Sequence, residues 1–165
     1  MSQTSPPKPL HDYCNLHEDD FIPHPVTGLP SYGLIPGYSS RNLTLPAGEI
    51  YLRVGKHVGV NKGFGVNHIW QGHGHELPKW GCKSIHDVAM YVATICSPGA
   101  QILCEFHLTA DGYRLTLLKS AKGCVILSPQ LDTEGNNFYS VVTAYKLHRS
   151  PHATKVGTLK AKKEL

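Results

Sequence analysis

The chain has 165 residues, 41% of them hydrophobic, enough for one domain with a real core. No apolar run reaches the roughly 18 residues of a membrane span, and the start "MSQTSPPKPLHDYC" lacks the basic-then-apolar order of a Sec-type signal peptide. The formal net charge of +4 is uneven: residues 1–45 hold two cations against four carboxylates, and residues 146–165 hold six cations against Glu164. That basic end suits a polyanion such as RNA, or it is only a solvated tail. The five cysteines are odd in number and form no CxxC, which favours a reduced compartment. The expected location is therefore cytoplasmic, or a target cell reached by a route that reads no Sec-type signal.

Eight of the twelve prolines fall in residues 1–46, and no helical or strand period runs through that stretch. Residues 1–45 read as a Pro-rich leader, extended or partly disordered. The domain proper is expected over 46–150, and a basic tail over 151–165. "EIYLRVG" (49–55) reads as a strand, "NKGFG" as a loop, and "VNHIWQGH" as a short helix broken by Gly72 and Gly74. "SIHDVAMYVATIC" (84–96) is the clearest helix, with Ile85, Val88, Ala89, Val92 and Ala93 on one face. Ser84 and Asp87 stand in a capping-box arrangement at its start. Only strands follow: 101–108 and 113–120 around a "TADG" turn, then 123–128 and 138–147. The order predicts an α+β fold, with N-terminal helices packed on a four-stranded antiparallel sheet.

The stretch "NHIWQGHGHEL" (67–77) holds three of the chain's eleven histidines. Three readings compete. His73, His75, Cys82 and His86 are legal zinc ligands, but HxH is most natural on a strand, and here it lies among glycines. Histidines in a Gly-rich turn can also be plain surface residues. The third reading is acid–base chemistry on RNA without a metal. That reaction needs a base for the 2′-OH, an acid for the leaving 5′-oxygen and cations for the phosphorane charge. His68 and His73 are the proton-transfer candidates, about 140° apart on an ideal helix. Lys56, His57, Arg114 and Lys146 are candidate phosphate binders. Ser140, Thr143 and Tyr145 supply hydroxyls from the last strand. In a regular strand Ser140 and Tyr145 point to opposite faces, so sharing one site requires a bulge or a strand end between them.

"IYLRVGKHVGVNKGFGVNHIWQGHGHEL", the capped helix and "YSVVTAYKL" together resemble the barnase–EndoU–colicin–RelE (BECR) superfamily of RNases, in its phage and polymorphic-toxin branch. The likeness covers roughly residues 48–150, and rests on an "HI-x-x-x-H" helix and a final strand with Ser/Thr and an aromatic residue. It implies a BECR-type fold and metal-independent cleavage of RNA through a 2′,3′-cyclic phosphate, with no cofactor. His68 and His73 match its helix histidines; Ser140, Thr143 and Tyr145 match its strand donors. The implied partners are RNA and an immunity or antitoxin protein, with no membrane. A non-catalytic RNA- or protein-binding module and a zinc-stabilised domain are the alternatives.

Overall fold

The computed structural model describes residues 16–39, 44–59, 62–108, 114–146 and 153–159. Strands β1 (Phe21–Ile22), β2 (Ser31–Ile35), β3 (Tyr38–Ser39), β4 (Thr44–Leu45), β5 (Gly48–Arg53), β6 (Lys56–Gly59) and β7 (Lys62–Phe64) come first. Helix α1 (Gly65–His73), a 3₁₀ turn (Leu77–Trp80) and helix α2 (Asp87–Ile95) follow. Strands β8 (Gln101–Leu108), β9 (Arg114–Ser120), β10 (Gly123–Leu131), β11 (Asn137–Tyr145) and β12 (Ala153–Thr158) end the described chain.

One eight-stranded sheet runs β1-β5-β11-β10-β9-β8-β12, and β2 pairs with β5 beside β1. The β5–β11 pair is parallel and every other pair is antiparallel, so the sheet is mixed. The register sorts its two faces. Partners across a ladder share a face, so Ile50, Tyr139, Val141, Leu127, Val125, Leu118 and Ile102 fall on one side. Each is at most 2% exposed, and together they form the inner wall of the core. The sheet curls around that wall. A Cβ on Gly33 of β2 would lie 3.0 Å from the side chain of Leu159, just past β12, although these strands sit at opposite edges. Helix α2 is amphipathic as its pattern predicts, burying Val88, Ala89, Val92 and Ile95 and exposing Met90. The Asp87 carboxylate accepts backbone N–H bonds from Lys83 and Ser84 ahead of its first turn.

Several expectations are corrected. The architecture is not N-terminal helices on a four-stranded antiparallel sheet. Strands 101–108 to 138–147 do lie side by side as β8–β11, but they are the middle of a larger mixed sheet, and both helices follow seven strands. The reason is non-local pairing: β5 joins β11 in parallel across most of the domain, and no local pattern announces such a partner. The boundary at 45/46 runs through the core. Ile22, Tyr32, Ile35 and Leu45, all inside the supposed leader, are at most 5% exposed and belong to the same core cluster as Ile50 and Val141. Residues 153–158 of the supposed tail form β12 on the edge of β8. "NKGFG" is not simply a loop, because Lys62–Phe64 pairs with β6. Helix α1 passes through Gly72 without a break. The "TADG" turn, Cys14, Arg149 and the lysines from 160 onward lie outside the described residues.

Candidate active site

A glycine brings two histidines together. In the β6–β7 hairpin His57 faces Gly63. A Cβ on Gly63 would lie 2.2 Å from the Lys56 carbonyl oxygen and 2.8 Å from His68 Nδ1, and its φ of +137° disfavours any other residue. The empty space admits the His68 ring from α1. The helix start is held there by Asn67, whose backbone N–H donates to Val54 O and whose side-chain amide donates to Gly55 O at 3.0 Å.

His57 Nδ1 and His68 Nδ1 lie 3.0 Å apart, and the rings stack at 5.1 Å between centroids. A hydrogen bond between two imidazole nitrogens needs one N–H and one lone pair. In the neutral pair one ring therefore presents a free Nε2 lone pair and the other an Nε2–H. His68 is only 6% exposed. Burial lowers its pKa, and the charges of His57 and His73 push in the same direction. His68 is thus held neutral at pH 7, with the less buried His57 in front of it.

Strand β11, which is followed by β12 and so is not the last strand, solves its own geometric problem. On β10, Ile126 pairs with Thr143 and Leu127 with Val141, so Val142 is an extra residue that bulges from β11. Ser128, Ile126 and Cys124 alternate on one face of β10, and their partners are Ser140, Thr143 and Tyr145. The bulge therefore puts all three hydroxyls on one side of the sheet. Tyr51 pairs with Ser140, so Tyr51 and Arg53 of β5 share that side.

Ser140 is fully buried, and its Oγ accepts a 2.8 Å bond from Arg53 Nε. The same guanidinium donates to Asp19 Oδ1 at 2.7 Å and lies 4.0 Å over the Phe64 ring. Ser140 thus positions a cation and offers no atom to a ligand. Beyond the bulge Tyr145 meets His73, with ring centroids 5.7 Å apart. His73 also packs 5.8 Å from Trp80, and its Nδ1 lies 3.6 Å from a Glu76 carboxylate oxygen. With Lys79 and Lys146 these residues line an open cleft of 440 Å³.

The predicted residues therefore divide. His68 is joined to His57 at the β6–β7 hairpin, and His73 is joined to Tyr145 and Lys146. Among the described residues no hydrogen bond or ring contact joins His68 to His73, whose charge adds to the lowering of the His68 pKa. Thr143 is half-buried on the shared face. Lys56 is ion-paired with Glu18 at 3.3 Å. Arg114 opens β9, which β10 separates from β11; its side chain lies outside the described residues. The zinc set does not converge. His75 is 82% exposed, while Cys82 is buried with its thiol directed at the Asp87 carbonyl. Burial, aided by Asp87, pushes that thiol's pKa up to about 11. Among the described residues no three His, Cys, Asp or Glu side chains gather as a metal site.

Sequence reasoning missed Arg53, Asp19 and Trp80. An Arg in the alternation Glu49, Tyr51, Arg53 was the available signal, because it marks the polar face of a strand. The Asp19 contact spans 34 positions and had no local signal. No known protein family, no curated protein and no solved structure matches the chain.

Proposed function

We propose that this protein is a metal-independent endoribonuclease of toxin or effector type, cleaving RNA to a 2′,3′-cyclic phosphate and a 5′-hydroxyl. The observation that carries the reading is the His57–His68 pair, with Nδ1 atoms 3.0 Å apart and the inner ring held neutral by burial. A structural imidazole needs no second imidazole at its nitrogen, whereas a general base benefits from one that fixes its tautomer. His57, the outer ring, takes the 2′-OH proton on Nε2 and His68 positions it. The 2′-oxygen attacks the adjacent phosphorus and the P–O5′ bond breaks. His73, with Nδ1 toward Glu76, delivers a proton from Nε2 to the departing 5′-oxygen. Lys146 and Lys79, beside His73, meet the phosphate oxygens.

The "HI-x-x-x-H" match to BECR ribonucleases, at His68 and His73, supports the chemistry; the helix–sheet order that the likeness also drew on is not the one observed. An RNase of this type requires an inhibitory protein partner wherever it meets its own cell's RNA. The test is total RNA incubated with purified protein in excess chelator, with product ends mapped. Cyclic phosphate ends are expected; cleavage that stops in chelator and returns with added metal overturns the mechanism.

A further inference from the structure

Beside the His73 cleft lies a second hollow of 340 Å³, and the two share Trp80 and Lys146 as a common wall. We propose that this second hollow binds a nucleotide of single-stranded RNA next to the scissile phosphate, its base against Trp80, Tyr91 and Met90 and its phosphate on Lys122 and Lys146. The inference rests on the ribonuclease reading and adds a subsite to it.

The fold builds the hollow from three directions. The 3₁₀ turn supplies Trp80. Helix α2 supplies Met90, which is 45% exposed, and Tyr91, which is 8% exposed and turns from the core toward Trp80. The sheet end supplies two cations. Cys124 pairs with Tyr145, so Lys122, in the β9–β10 turn, and Lys146, just after β11, sit at the same end of the β10–β11 ladder. Both lysines are exposed, and among the described residues neither joins an ion pair.

The Asp87 and Thr94 side chains of the hollow are already used. Asp87 accepts the Lys83 and Ser84 backbone N–H groups, and the Thr94 hydroxyl donates to Met90 O. The net charge left for a ligand is therefore positive. Trp80 and Tyr91 stack with centroids 5.7 Å apart, and Met90 adds a polarizable thioether beside them. Aromatic surface next to backbone-tracking lysines is the chemistry of single-strand recognition, since every base has a π-face. The Tyr91 hydroxyl adds a second pointer. It is the one buried side-chain polar atom without a hydrogen-bond partner among the described residues, and it lies toward Gly123 at the base of the hollow, an under-satisfied floor beneath the aromatic wall. A duplex keeps its bases stacked inside and cannot offer one to a hollow.

The test uses a short 2′-deoxy oligonucleotide, which binds but lacks the attacking hydroxyl, with fluorescence anisotropy at several salt concentrations. Lys122→Ala, at an exposed turn position, should lower the slope of log affinity against log salt by about 0.7, one single-strand phosphate contact. Trp80→Ala should weaken binding roughly 10-fold, as loss of one stacked base does. Because Trp80 packs on the core, an oligonucleotide of abasic sites is tested on the wild type as well, and it should show a comparable loss. Wild type that binds neither oligonucleotide sinks the ribonuclease reading itself. Wild type that binds both equally, with an unchanged salt slope for Lys122→Ala, overturns the subsite and leaves that reading standing.

Discussion

The Nδ1 atoms of His57 and His68 lie 3.0 Å apart, one on the β6–β7 hairpin and the other on helix α1, which begins directly after β7. Two like groups this close cannot both carry a proton on the facing nitrogens. The burial of His68 favours its neutral form.

That choice has a pH signature. The folded-state pKa of His68 is depressed by burial, so the unfolded chain binds more protons below the ordinary histidine value of about 6.5. The stability this group contributes is present above that value and is lost as pH falls through the folded pKa. Thermal midpoints at pH 7 and pH 5 should differ more for wild type than for His68→Asn, which keeps a polar group near Nδ1 and cannot titrate. Parallel losses in the two proteins would remove His68 from this role.

Gly63 admits the His68 ring, so Gly63→Ala should destabilise by about 1–3 kcal/mol through backbone strain. It should also separate the two imidazoles, visible as a changed His57 ring signal in NMR. Gly72→Ala is the control. It lies inside α1 with open space around its Cβ, and should stabilise by roughly 0.5–1 kcal/mol. Equal effects of the two substitutions would contradict the packing described.

Residues before 46 should prove indispensable. Ile35 is fully buried, so Ile35→Ala should cost about 2–5 kcal/mol in a denaturant melt. Deleting the chain through residue 39 should abolish the cooperative transition. A truncated protein that melts like wild type would show that β1 and β2 are accessory.

Local pattern made part of this legible. The periodicity of Val88, Ala89 and Val92 marked α2, and β-rich runs marked β5 and the strands β8–β11. The histidine cluster and the hydroxyls of β11 were also visible. Long-range pairing was not. Strand β2 is short and reaches β5 through an irregular register, from Ser31–Tyr51 to Leu34–Glu49, so it shows no period of two. The pairing of His68 with His57 rather than His73 depends on the Lys56–Phe64 hairpin register, which a Gly-rich "NKGFG" conceals. The Val142 bulge, required for Ser140 and Tyr145 to share a face, leaves no mark in the residue types.

Ser140 provides a sharp separation of structure from chemistry. Ser140→Ala leaves the half-buried Arg53 Nε–H without its acceptor, and should cost about 1–3 kcal/mol. Cleavage per folded molecule should stay within a few-fold of wild type, because the serine exposes no atom to substrate. A loss of several orders of magnitude in folded protein would make Ser140 a reacting group.

The most direct measurement is the rate of 2′,3′-cyclic phosphate formation on a defined RNA, in excess chelator, for wild type and histidine variants shown to be folded by melting. His57→Ala, His68→Asn and His73→Ala should each lower kcat by roughly two to four orders of magnitude, with KM little changed for His68→Asn. His75→Ala, at a position 82% exposed, should have no effect. The His57/His68 double variant should lose far less than the product of its single losses, as residues acting as one unit do. Folded His57→Ala and His68→Asn proteins that form cyclic phosphate at the wild-type rate would contradict the account.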